Sequence, residues 1–194
     1  MEVNIIGISG TNGSGKDTVG QMLAERHGFL VVSVSDFLRD ELKKQGLTIE
    51  RENLRALSAR WRKKYGLGVL IDKAVDEFKK SGSQYKGLVI PSIRNPGEVD
   101  EIHRFGGKVI WTDGDPKIRY RRIHSRGRSS EDKKTFVQFV AEEKAEMDYG
   151  GRETALHMAA VKNKADIFLE NNGNDIEAFK DTAEKALKDR GIGL

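Results

Sequence analysis

The chain has 194 residues, 37% hydrophobic and 33% charged, a balance that suits one α/β domain with a full core. It contains no cysteine, which excludes a disulfide framework and a thiolate site, and no apolar run approaches the length of a membrane span. A net charge of +4 and a pI of about 9.2 suit a protein that handles several phosphates or a nucleic acid.

The N-terminus enters the first strand with no basic leader or cleavage site, which predicts a cytoplasmic location. Val3 to Ile8 is mostly apolar and predicts that strand. Gly10-Thr11-Asn12-Gly13-Ser14-Gly15-Lys16-Asp17-Thr18 follows and opens an amphipathic stretch, giving strand, glycine-rich loop and helix in order. In that setting backbone N–H groups wrap phosphates. The glycines let the chain turn tightly and leave its amides bare, and Lys16 can reach a β- or γ-phosphate. The spacing fits the Walker A pattern, except that Asp17 stands where Ser or Thr usually touches Mg²⁺. A carboxylate there can hold the ion directly or through water, and Thr18 offers a hydroxyl one place later.

Further apolar, β-rich runs predict strands at Phe29–Val34, Leu88–Ile90, Val109–Thr112 and Ala165–Leu169. Helical patterns lie between them. Val19, Met22 and Leu23 make the inward stripe of the first helix. Asp36 reads as the N-cap of Phe37–Lys44. Leu54, Leu57 and Trp61 share a face near Glu50–Lys64, and another helix spans Val69–Lys80. Asp115 and Pro116 read as N-cap and N1. Phe136, Val140 and Met147 form a stripe that also contains Glu143. Asn174 with Glu177 reads as a capping box before the stripe of Ile176, Phe179, Ala183 and Leu187. Alternating strands and helices predict a three-layer, doubly wound, five-stranded parallel sheet of the P-loop NTPase type, in one domain over 1–194. Residues 36–82 would form a helical acceptor-binding region, and residues 117–150 a basic lid with its flanking helices.

In such a fold ligands sit beyond the carboxyl ends of the strands. Asp36 and Arg39 follow the second strand. Asp36 can take a proton, hold Mg²⁺ through water, or cap its helix. Arg39 can grip an acceptor phosphate or form an ordinary i,i+3 pair. Arg94, after the third strand, faces the same crevice. The acid usual near that strand's end is missing, with Ser92 a poor replacement, which shifts metal placement toward Asp17, Asp36 or Glu98. Lys117 to Lys134 holds eight Lys or Arg and only two acids. Arg119, Arg122 and Arg126 share one helical face and Arg128 follows in a polar loop. This suits a lid that neutralises a transferring phosphoryl group, with a solvated helix face and an RNA-binding patch as the alternatives. Glu143 invites one of these arginines as partner or marks the solvent edge of its stripe. Asn171, Asn172 and Gly173, after the last strand, can turn the backbone against an adenine edge or simply lead into the next helix.

Together these residues resemble the P-loop small-molecule kinases of the nucleoside monophosphate kinase group over nearly the whole chain. Asp36-x-x-Arg39 and Arg94 resemble the adenylate kinase arginines that bind the acceptor phosphate. Arg122-x-x-x-Arg126 resembles the lid arginines of these kinases and of dephospho-CoA kinase. Ala165-Asp166 followed by Asn171-Asn172-Gly173 resembles the dephospho-CoA kinase ending beside the ATP adenine. Gly15-Lys16-Asp17-Thr18 is similar to phage-type deoxynucleoside monophosphate kinases, and the order of elements to an archaeal P-loop family related to dephospho-CoA kinase.

The resemblance implies ATP and Mg²⁺ as cofactors, with Gly10, Asn12, Gly13, Ser14, Gly15, Lys16, Asp17, Thr18, Asn172 and Gly173 at the nucleotide. Asp17 and Thr18 would face the metal. Lys16, Asp36, Arg122 and Arg126 would act in transfer, and Asp36, Arg39 and Arg94 on the acceptor. The expected acceptor is a (deoxy)nucleoside monophosphate, with dephospho-CoA as runner-up, in which case Asp36 would be the general base. A P-loop ATPase switch binding RNA or a ribosomal particle is the rival of another class. A monomer or homodimer with a small-molecule partner and no membrane is expected.

Overall fold

A computed structural model of the chain describes residues 4–126, 134–147 and 153–194, with the backbone alone at Arg126. Strand β1 (Ile5–Gly10) leads through the glycine-rich loop into α1 (Lys16–His27), then β2 (Phe29–Val31). Three helices follow, α2 (Val34–Lys44), α3 (Arg51–Tyr65) and α4 (Val69–Lys80). Next come β3 (Gly87–Pro91), α5 (Pro96–Arg104), β4 (Lys108–Asp113), α6 (Pro116–Arg126) and α7 (Phe136–Met147). The chain ends in α8 (Met158–Lys164), β5 (Ile167–Glu170) and α9 (Ile176–Asp189).

The strands form one parallel sheet in the order β2-β3-β1-β4-β5. Successive strand residues point to opposite sides, and the central strands β1, β3 and β4 are buried on both faces, while Val31 of β2 and Phe168 of β5 are exposed at the edges. Ile5, Leu88, Ile90, Val109 and Trp111 join a core with α2 to α5 and α8, while Ile6, Ile8, Val89, Ile110 and Leu169 join α1 and α9. The result is the expected three-layer, doubly wound α/β arrangement. The strand order places β1 between β3 and β4. The loop after β1 therefore emerges at the reversal in strand order, where a crevice opens.

Several element boundaries differ from expectation for identifiable reasons. Strand β1 runs to Gly10, and Val3 lies outside the described residues. Strand β2 stops at Val31 because Ser33, extended at ψ 109°, is the N-cap of α2. Asp36 is therefore not the cap but lies in the first turn, where a carboxylate complements the helix dipole. The cap of α9 is Asp175, whose side chain accepts from Ala178 N, rather than Asn174. Asp115 does cap α6, accepting from the amides of Lys117 and Ile118. On α7 the buried residue is Phe139, whereas Val140 is exposed. Ile176 of the α9 stripe is also exposed. Helices α5 and α8 were not anticipated. The first has a full capping box, with Asn95 accepting from Gly97 N, Pro96 at N1, and Glu98 accepting from Asn95 N.

Candidate active site

The glycine-rich loop is held from beneath by β4. Thr11 N donates to Thr112 O at 3.2 Å, and the buried Ser14 hydroxyl bonds Thr112 Oγ1 at 2.6 Å. Thr11 Oγ1 donates to Asp113 Oδ1 at 2.8 Å. Burial pushes the Asp113 carboxyl up, but the Gly114 amide, Thr11 and Trp111 as donors and the charge of Lys162 outweigh it and hold it below its usual value. Asp113 is thus an ionised clasp for the loop. Ser14 belongs to the same support: it is fully buried, its N–H donates to Thr11 O at 3.4 Å, its carbonyl accepts from Asn171 Nδ2 at 3.0 Å, and it does not line the cleft.

Gly15 shows why the loop needs glycine. Its φ is 101°, and a Cβ there would meet Asn171 Nδ2 at 2.7 Å and Phe179 Cε1 at 2.8 Å. No side chain caps α1, so its first-turn amides remain available to an anion. Lys16 folds back over the loop and donates to Gly10 O at 3.0 Å and Thr11 O at 2.6 Å. Burial, followed by the nearby charge of Arg94, lowers its pKa to about 8.

A cleft of about 650 Å³ opens beside this loop. Asn12, Gly13, Gly15, Lys16, Asp17 and Thr18 form its floor, and Ser92, Arg94, Arg122 and Gly173 also line it. Arg122 bridges the two ends of the nucleotide-side wall. It donates to Gly13 O at 3.3 Å, to Asn171 O at 3.0 Å, and to Gly173 O. Burial and the charge of Arg119 lower its pKa from the ordinary arginine value. Asn172 is exposed and braces the turn by accepting from Asp115 N at 2.6 Å. Arg119 is buried and pairs through both terminal nitrogens with Glu143, so Glu143 has an α6 arginine as partner. The side chain of Arg126, and Arg128 altogether, lie outside the described residues.

The residues expected on the acceptor side divide. Arg94 lines the cleft, whereas Asp36 and Arg39 pair with each other at 2.6 Å on the exposed face of α2 and do not line it. Arg51, at the start of α3, lines it instead. Glu98 is unavailable to a metal. It is 1% exposed, accepts from the amides of Arg94 and Asn95, and pairs with the buried Arg62 at 2.7 Å. Strand β3 ends at Pro91, and Ser92, which follows it, adopts φ 67°, a conformation that favours glycine. Glu146 of α7, which the sequence reading did not single out, is reached by Arg51, Arg55 and Arg94.

These features have relatives. Residues 6–149 match the AAA domain family model. A UPF0200 protein of Pyrobaculum aerophilum is 30% identical over 187 residues, spanning 95% of this chain and 97% of that one. The chain belongs to the UPF0200 family. A second UPF0200 protein, from Sulfurisphaera tokodaii, is 31% identical over 96% of this chain and 97% of its own length. Among solved structures, TT1252 from Thermus thermophilus superposes with a TM-score of 0.64 at 20% identity, with both chains covered in full. Shikimate kinase from Bacteroides thetaiotaomicron gives a TM-score of 0.61 at 12% identity over 97% of this chain and 99% of that one. This UPF0200 protein therefore has a P-loop kinase-like fold. No helix among the described residues is long and apolar enough to cross a membrane.

Proposed function

We propose that the chain is an ATP- and Mg²⁺-dependent phosphotransferase that moves the γ-phosphoryl group to a small nucleotide-type acceptor. The observation that carries this reading is a half-buried P-loop lysine facing a cleft whose other wall presents Arg51 and Arg94. The glycine cradle and uncapped start of α1 fit a polyphosphate. Lys16 would leave the carbonyls of Gly10 and Thr11 for the β- and γ-oxygens, where its charge is stabilised. Arg122 and Gly173 lie beside the loop and suit the nucleoside end. Arg126 remains a proposed lid arginine.

The donor set fits Mg²⁺ held largely by phosphates and water, since Asp17 and Thr18 line the cleft floor and Asp17 is exposed. When bound, the ion would neutralise charge on the β- and γ-oxygens. Pro91 at the end of β3 and Ser92 after it add no carboxylate.

A (deoxy)nucleoside monophosphate is the leading acceptor, because two cleft arginines suit a phosphate. Dephospho-CoA draws less support, since Asp36, its proposed base, pairs with Arg39 away from the cleft. The missing β3 acid favours the second reading, a slow ATPase switch. ADP release from Mg-ATP, measured with each nucleoside monophosphate, dephospho-CoA and no acceptor, separates them. Stimulation by one compound supports a kinase and names its acceptor. A uniform low rate supports the switch.

A further inference from the structure

Where α3, the end of β3 and α7 meet, three guanidinium groups converge on one carboxylate. Arg55 donates to Glu146 Oε1 at 3.0 Å and Arg94 to Glu146 Oε2 at 3.3 Å, while Arg51 Nη1 lies 3.8 Å from Oε1. The Glu146 side chain is 13% exposed, while those of Arg51, Arg55 and Arg94 are 45%, 38% and 31% exposed, so the carboxylate is sheltered and the guanidinium groups reach solvent. Arg51 and Arg94 are also walls of the cleft that Lys16 faces. Guanidinium groups arranged around two oxygens are the geometry that binds a phosphate or carboxylate from solution. The cluster shares a field with the phosphate loop. The charge of Arg94 depresses the Lys16 pKa, and that of Glu146 raises it.

We propose that Arg51, Arg55 and Arg94 form the subsite for the acceptor's anionic group, and that Glu146 fills it as an internal counter-ion which that group displaces. The identity of the anion as an acceptor rests on the phosphotransferase reading; the subsite itself does not. The arrangement also selects. A monoanionic carboxylate that replaces Glu146 exchanges one charge for one, whereas a phosphate monoester brings close to two. The subsite therefore favours a phosphorylated acceptor over a carboxylic acid. Displacement releases the link that holds α7 to α3 and β3, so acceptor binding is coupled to the helix that follows the lid region.

The test is calorimetric titration of inorganic phosphate, and separately of acetate, into protein saturated with Mg-ADP. Glu146→Gln keeps the shape and removes the charge. It should bind phosphate about tenfold tighter than the parent, and acetate should bind measurably only to this variant. Arg55→Ala should bind phosphate about tenfold more weakly. Unchanged or weaker phosphate binding by folded Glu146→Gln would overturn the proposal, since a merely structural ion pair predicts a lower Tm with no gain in affinity. If Glu146→Gln does not fold, Arg55→Ala decides, because its side chain is 38% exposed and tolerates truncation. Phosphate affinity equal to the parent in that variant overturns the proposal. Failure of ADP to bind would overturn the phosphotransferase reading alone, and the comparison of phosphate affinities would still decide the subsite.

Discussion

Arg119 and Glu143 form a two-pronged ion pair that locks α6 to α7, with the arginine side chain only 2% exposed. The same guanidinium donates to Gly114 O at 2.7 Å and Asn12 O at 3.1 Å, so it also fixes the outer edge of the phosphate loop. Glu143→Gln leaves a buried charge poorly compensated and should destabilise the fold by about 3 kcal/mol. Arg119→Met with Glu143→Leu removes both charges and should recover most of that loss. Urea unfolding of the single and double variants checks both values, and ADP affinity should fall in the double variant because Asn12 loses its anchor.

Glu98 is a structural carboxylate, although its position after β3 suggested a metal ligand. It completes the α5 capping box and neutralises Arg62, which is itself buried. Glu98→Gln should cost about 3 kcal/mol in unfolding experiments. The Mg²⁺ concentration that half-saturates ATP turnover should stay unchanged. A large shift in that concentration, with stability intact, would return Glu98 to the metal.

Lys16 ties nucleotide binding to pH. Its folded pKa of about 8 lies below the ordinary lysine value. Bound phosphates favour the ammonium form, so above pH 8 nucleotide binding takes up a proton. ADP affinity should fall by up to about tenfold per pH unit from pH 8 toward pH 10. Stability moves the other way. The unfolded chain binds the extra proton in that window, so apo stability rises with pH there, and the full penalty of burying the charge is present below pH 8. Both trends should vanish in Lys16→Met. Calorimetry in buffers of different ionisation enthalpy measures the proton uptake.

Ser92 sits at φ 67° without being glycine. The left-handed region costs an L-residue about 1–2 kcal/mol, partly offset by the entropy glycine loses on folding. Ser92→Gly should therefore stabilise by about 0.5–1 kcal/mol, read as a rise in the urea midpoint.

The glycine-rich loop was legible because its conformation constrains the sequence: φ of 101° at Gly15, packed against Asn171 and Phe179, leaves a local signature in the glycine itself. The five strands were legible for a similar reason, as short apolar, β-branched runs, of which β1, β3 and β4 are buried on both faces. Helix α5 does carry local signals, in the Asn95, Pro96 and Glu98 of its capping box, but it is short, nine residues, and only Val99 and Ile102 of its apolar side chains are buried. Helix α8, seven residues long with no side-chain cap, has no local signal and forms through Met158 and Val161 in the core. The arginine-bearing wall of the cleft was legible only in part. Arg94 follows a strand end, where the fold directs ligands. Arg51 looks like any solvated arginine at a helix start, and only tertiary packing turns it toward Glu146. Arg39 shows the converse: a motif-like spacing that folds into a local i,i+3 pair.

The most direct test of the central claim is transfer of an isotopically labelled γ-phosphoryl from ATP, read by mass spectrometry of each acceptor with the parent protein and with Lys16→Met. A phosphotransferase predicts the label in one acceptor product, absent with Lys16→Met while that variant keeps its fold. Label found only in inorganic phosphate, at the same rate with and without every acceptor, would contradict it.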